Sequence, residues 1–116
     1  MKRVFAILAV LLIACPAFAA PIGGCNSSGL KTADAAIRTA PGWFCGAEII
    51  TNAASDAAIT VYDNASAASG TVLFQGTVAA AANFGGVTFP IPIRSVNGIY
   101  VDVSGTGASY IIYFDW

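Results

Sequence analysis

The carboxylates are the side chains of this sequence best suited to chemistry, because the chain contains no histidine. Without an imidazole there is no Ser–His or Cys–His nucleophile pair, and most zinc sites are excluded. Two carboxyls facing across a cleft would still serve a glycosidase, and Glu48 with Asp102 or Asp63 would be such a pairing. Their spacing in the sequence does not predict that they face each other across a cleft. We therefore expect solvated carboxylates in turns and on strand faces, no catalytic residue, and a protein that is not an enzyme.

Loop oxygens and one glycine-rich turn are the remaining candidates for a metal or a cofactor. Asp56, Asp63, Asn64 and Asp102 carry oxygens of the kind that calcium prefers, but the sequence has no Asp-x-Asp-x-Asp spacing. The segment Gly105–Gly107 lies between two predicted strands, whereas a phosphate-binding loop leads into a helix N-terminus. We therefore expect no bound metal and no cofactor, and we interpret the glycines as a hairpin turn.

Aromatic residues at alternating strand positions are the candidates for ligand contact. Rings that point inward fill the core of a β-sandwich, whereas two or three rings on one outward face form a platform for a ligand. Tyr62 and Tyr100 oppose the apolar faces of their predicted strands, and Trp116 ends the chain. We single out these three residues as a candidate contact surface.

The first nineteen residues have the composition of a secretion signal. Met1–Arg3 is cationic, Val4–Ala14 is an uncharged apolar run, and Ala17–Ala19 supplies the small residues of a peptidase site. Because a helix needs about 20 apolar residues to cross hydrocarbon, this shorter run predicts a cleaved signal and no membrane span. The alternative is a lipoprotein signal in which Cys15 is lipidated. We expect residues 20–116 to be exported to the periplasm or the extracellular space.

The predicted mature region has few charges and two cysteines. Its charged residues are three cations and six anions, which give a net charge of −3. This is a much smaller share than in an ordinary domain, in which roughly a quarter of the residues are charged. Three scattered cations cannot follow a phosphate backbone, so nucleic acid is not an expected partner. Cys25 and Cys45 both remain after the signal is removed. Two thiols in an oxidising compartment predict a disulfide.

Alternation of apolar and polar residues dominates the mature region and predicts β-strands. The predicted strands are 43–51, 58–63, 71–78, 86–94, 98–103 and 109–114, separated by turns rich in Asn and Gly. Pro90 and Pro92 each remove a ladder donor, which places their strand at a sheet edge. The Ala-rich stretches 32–38 and 78–82 carry only a weak helix signal. We expect one all-β domain over 20–116, a single antiparallel β-sandwich of six to eight strands, jelly-roll or immunoglobulin-like.

Several strand-and-turn segments follow one another in a recognisable order. Gly42–Gly46 (Gly-Trp-Phe-Cys-Gly) precedes Thr60–Asp63 and Ala68–Leu73, and a closing Asn97–Gly107 segment lies between Phe89 and Tyr113. Through these segments, the chain resembles short β-sandwich proteins found among the structural and decoration components of tailed-phage virions. The resemblance covers residues 40–114 and implies a sandwich fold with a structural, virion-associated role.

A nearly uncharged exterior connects these expectations to a function. Isolated β domains usually guard their edges with Lys and other charges, and the mature region has three cations in all, Lys31, Arg38 and Arg94. Such a surface suits a subunit that packs against a protein surface or against other copies of itself. We expect a non-enzymatic structural or interaction module, of a virion-associated or surface-assembly kind. A secreted module that binds a glycan or another ligand, and a pilus-type subunit, are the alternatives.

Overall fold

The computed structural model describes residues 24–116, so the predicted signal and the Cys15 alternative lie outside the described residues. The six predicted strands are all present, and two short strands precede them. The strands are Asn26–Ser27 (β1), Ala35–Arg38 (β2), Gly42–Ile50 (β3), Ala57–Asp63 (β4), Thr71–Val78 (β5), Phe84–Ser95 (β6), Ile99–Ser104 (β7) and Ser109–Asp115 (β8). The all-β prediction is confirmed, and the strand count is the upper end of the expected range.

The two Ala-rich stretches do not form an α-helix. Ala35–Arg38 is strand β2, which pairs with β7, and Ala80–Ala82 is a single 3-10 turn between β5 and β6. Isolated helices shorter than about 12 residues are marginal in water, so pairing with a neighbouring strand decides the conformation of such short segments. Within residues 24–116, no helix is long and apolar enough to cross a membrane.

The order of the strands gives the topology of the sandwich. The first sheet has the order β1-β8-β3-β6 and the second the order β2-β7-β4-β5, with all neighbours antiparallel. Strands β1 to β4 therefore pair with β8 to β5 in reverse order, as in a long hairpin that is bent at the β4–β5 turn and wrapped into two sheets. This is the jelly-roll arrangement. Strand β6 lies at an edge, as its two prolines predict.

The core lies between the sheets and is formed by alternate residues of the four central strands. Its largest fully buried side chains are Phe44, Ile59, Val61, Ile99, Val101, Tyr110 and Ile112. The Tyr110 hydroxyl donates a hydrogen bond to the Ala33 carbonyl at 2.8 Å. Burial, with smaller contributions from Asp34 and Tyr100, raises the pKa of Tyr110 to about 12. The tyrosine therefore fills the core as a neutral, hydrogen-bonded ring.

Cys25 and Cys45 form the predicted disulfide. The bond joins the segment before β1 to β3, although β8 lies between β1 and β3 in the sheet. Strand β1 has only two residues, but Ser28 and Lys31 continue the hydrogen bonding with β8 at Ile112 and Tyr110. The disulfide adds a covalent attachment of the same segment to β3.

Candidate interaction surface

The carboxylates considered as a catalytic pair lie on opposite sides of the molecule. Glu48 is on the outward face of β3 in the first sheet, between the buried residues Ala47 and Ile49. Asp102 is on the outward face of β7 in the second sheet, so the core separates the two. Within the described part of the chain, no group of three or more His, Cys, Asp or Glu residues could hold a metal ion.

Asp63 organises the turn between β6 and β7. Its Oδ1 accepts hydrogen bonds from the backbone N–H groups of Asn97 at 2.7 Å and Val96 at 3.0 Å, and from Ser95 Oγ at 3.1 Å. Partial burial favours a higher pKa for Asp63, but the hydrogen bonds from Asn97, Val96 and Ser95 outweigh it and hold the pKa below its usual value. The carboxylate that we considered as a calcium ligand is thus used to hold a turn.

Asp63→Asn is expected to lower the free energy of unfolding by about 1–2 kcal/mol at pH 7, because it weakens hydrogen bonds to a charged acceptor. The folded-state pKa of Asp63 is below the unfolded value of about 3.9, so the contribution of the carboxylate is complete above that pH and is lost as the pH falls through the folded-state pKa. Urea titrations at pH 7 and near pH 2 test this. Glu48→Gln, which removes an outward-facing carboxylate, is the control. A difference between wild type and Asp63→Asn that is as large near pH 2 as at pH 7 would contradict the assignment.

Tyr62 and Tyr100 lie side by side on the outward face of the second sheet. They are direct partners in the register of β4 with β7, and Val72 of β5 is opposite Tyr62 on the other side. The neighbouring row on this face is polar and consists of Asp102, Thr60 and Gln75. This outward face, centred on Tyr62 and Tyr100, is termed the tyrosine face.

The tyrosine face is anionic at the β7 side. Partial burial, followed by the charge of Asp34 and a hydrogen bond with it, raises the pKa of Asp102. Asp34 also accepts a hydrogen bond from the backbone N–H of Val103 at 2.8 Å. Because the folded-state pKa of Asp102 is raised, its ionisation opposes folding as the pH rises through that pKa.

Trp116 is not part of the tyrosine face. It follows β8 in the first sheet, and its indole packs edge-on against Phe114, a residue of the inward-facing row, with ring centroids 5.9 Å apart. The Arg38 guanidinium carbon, from β2 of the second sheet, lies 5.2 Å from the indole centroid. The ring remains 69% exposed. The structure therefore brings two of the three candidate contact residues together and places the third elsewhere.

A third surface, which the sequence analysis did not single out, lies where the edge strands β5 and β6 face each other. The two strands carry the exposed apolar side chains Val72, Phe84 and Ile91, with exposed fractions of 49%, 69% and 84%. Val72 lies on the outward face of the second sheet and Phe84 on the outward face of the first. Arg94 is the single charged residue in the two strands. The side of the sandwich formed by β5 and β6 is termed the open side.

A groove of about 270 Å³ runs between the two strands of the open side. Its lining includes Gly76, Gly85 and Gly86 together with Ile49, Phe74 and Val87. Below it, the rings of Phe44, Phe74 and Phe89 pack with centroids 5.5–6.0 Å apart. Side chains of this chain pack against two of the glycines, Phe74 against Gly76 and Val78 against Gly85.

No protein-family model, curated protein or solved structure matches this chain.

The four edges of the two sheets differ in how well they are protected against pairing with another chain. Native proteins protect edges with short strands, bulges, charges and proline. Strand β1 has two residues, β2 has a register shift before the charged Arg38, and β6 contains Pro90 and Pro92 within an irregular stretch opposite β3.

Strand β5 is protected least. It has one irregularity, at Leu73, and then runs regularly from Phe74 to Val78 without a charge or a proline. A signal for this surface was present in the sequence, because residues 64–93 contain no charged side chain. Only the topology shows that the two strands within that stretch are edges on the same side of the sandwich.

Proposed function

We propose that this chain is a non-enzymatic structural or interaction module that acts outside the cytoplasm through the open side of its jelly-roll sandwich. The observation that carries the proposal is the groove between the edge strands β5 and β6, which is lined mainly by apolar side chains and glycines and by no charged residue. An unprotected sheet edge beside an apolar groove is a template for contact with another protein chain. The Cys25–Cys45 disulfide is compatible with an oxidising compartment.

An assembly subunit, virion-associated or at a cell surface, is the role that these features support best. The jelly roll is a fold used by viral capsid and lectin domains, and the open side, with a single charged residue in its two strands, adds little electrostatic repulsion between copies. A pilus-type subunit would also assemble at an open edge, by addition of a strand. An assembly subunit of either kind contacts other copies of the chain, so self-association is the property to test.

The test is the molar mass of the purified, exported protein as a function of concentration, by sedimentation velocity. We expect self-association that Ile91→Lys weakens at least about tenfold, because it places a charge in a desolvated contact. Leu30→Lys is the matched control, since Leu30 is 60% exposed and belongs to neither strand of the open side. A wild-type protein that stays monomeric at every attainable concentration would overturn the proposal.

A second candidate function, glycan binding, is favoured by the tyrosine face. Tyr62 and Tyr100 are cross-strand partners on one outward face, and the flanking Asp102, Thr60 and Gln75 offer the hydrogen-bonding groups that orient a polar ligand. We expect Tyr62→Ala with Tyr100→Ala to weaken binding to a glycan array hit by roughly tenfold. Tyr113→Ala, on the outward face of the other sheet, is the control. A glycan array without any hit would remove this candidate.

A further inference from the structure

We infer that β5 pairs with β5 of a second copy of this chain, in an antiparallel register centred on Gly76. The inference rests on the proposed function and names the partner and the contact at the open side. Its starting point is that β5 is an edge strand with free backbone donors and acceptors. The regular part, from Phe74 to Val78, is free of the charges and prolines that prevent edge pairing.

The sequence of this segment favours a second copy as the occupant. Residues 74–78 read Phe-Gln-Gly-Thr-Val, which is a palindrome in chemical character: apolar, polar, small, polar, apolar. Phe74 and Val78 pack towards the core, whereas Gln75 and Thr77 are exposed on the outward face. In an antiparallel pair of two copies centred on Gly76, each apolar residue lies opposite an apolar residue and each polar residue lies opposite a polar residue.

The contacts of that register follow from the spacing. Gln75 of each copy faces Thr77 of the other on the outward side, where an amide and a hydroxyl form a polar cross-strand pair. Phe74 of each copy faces Val78 of the other on the inward side, an aromatic pair with a β-branched residue. Gly76 faces Gly76 at the two-fold axis, where the absence of side chains allows close approach. The symmetric contact is isologous and closes as a dimer.

Pairing in this way would join two four-stranded sheets into one continuous sheet of eight strands. That number lies within the range of natural open sheets. The outward sides of the two sheets become continuous, so the two tyrosine faces lie on the same surface of the dimer. Because no residue in β5 is charged, the two-fold axis brings no like charges together.

The register predicts opposite outcomes for two variants with similar side chains. In Gln75→Lys with Thr77→Lys, the lysine at position 75 of each copy faces the lysine at position 77 of the other. These two like-charged pairs are expected to weaken dimerisation at least about tenfold. In Gln75→Lys with Thr77→Glu, each lysine faces a glutamate, and we expect a dimer at least as stable as wild type. Ala36→Lys, on the outward face of the opposite edge of the same sheet, is the control for an added charge.

Sedimentation velocity of the exported protein gives the dimer constants, and thermal unfolding confirms that each variant is folded. Hydrogen exchange should show protection of the β5 amides that rises with protein concentration. If the Lys–Lys and Lys–Glu variants dimerise equally, while Ile91→Lys disrupts association, then β5 pairing is wrong and the open side still acts as an interface. If wild type does not associate at all, both this inference and the proposed function fail.

Discussion

Removal of the Cys25–Cys45 disulfide is expected to lower the free energy of unfolding by about 3 kcal/mol, the loop-closure value for a short loop. The bond joins cysteines separated by 20 residues, and its loss frees many conformations in the unfolded chain. The pairing of β1, Ser28 and Lys31 with β8 remains without the bond, so the variant is expected to fold. For a domain of this size the change corresponds to a fall in melting temperature of roughly 12–24 °C.

The measurement is differential scanning calorimetry of the double variant Cys25→Ala with Cys45→Ala. Both cysteines are replaced so that neither remains as an unpaired thiol. Wild-type protein under a reducing agent should unfold at a similarly lowered temperature, while the reducing agent should not affect the double variant. A double variant that melts within a few degrees of the oxidised wild type would show that packing alone holds the start of the domain.

Strand positions were predictable from the sequence wherever a strand buries one of its faces. Ile99, Val101 and Val103 alternate with Tyr100 and Asp102, and the observed strand Ile99–Ser104 agrees with the predicted one to within a residue at each end. The same holds for Thr71–Val78, whose limits agree at both ends. A period of two is a local property of the chain, so it can be recognised without knowing the partner strand.

The two short strands could not be recognised in this way. Ala35–Arg38 reads Ala-Ala-Ile-Arg, which has no alternation to distinguish a strand from a helix. It is a strand because Ala35 and Ala36 are in register with Val101 and Tyr100 of β7, more than sixty residues later in the chain. Pairing over that distance is a property of the topology, and for the same reason the sequence left the jelly-roll and immunoglobulin-like types both open.

For the candidate surfaces, the sequence likewise predicted which way a side chain points but not which residues are neighbours. That Tyr62 and Tyr100 face outward follows from alternation, but that they are neighbours follows only from the register of β4 with β7. Trp116 is separated from these two tyrosines because β8 belongs to the first sheet and β4 and β7 belong to the second. The open side needs two facts that pattern analysis does not supply. These are that β5 and β6 are both edges and that they border the same groove.

Phe44→Ala is expected to have the largest effect of any single substitution considered, a loss of about 3–5 kcal/mol in the free energy of unfolding. Phe44 is fully buried, and its ring centroid lies 5.5 Å from that of Phe89 and 6.0 Å from that of Phe74. Truncation removes these contacts and leaves a cavity between the sheets. Urea unfolding at neutral pH measures the change, and Phe84→Ala is the matched control, because Phe84 is 69% exposed and its truncation should alter stability by less than about 0.5 kcal/mol.

The position of Phe44 also links the core to the open side. Its aromatic neighbours belong to the two edge strands, Phe74 to β5 and Phe89 to β6, so the cavity would lie beneath the proposed interface. Since domains of this size have only about 5–15 kcal/mol of stability in total, the milder Phe44→Leu tests the same point in a folded protein. Hydrogen exchange in Phe44→Leu should then accelerate in β5 and β6 before it accelerates in the central strands β4 and β7. Uniform acceleration across both sheets would mean that the edge strands do not depend on the Phe44 ring more than the rest of the fold does.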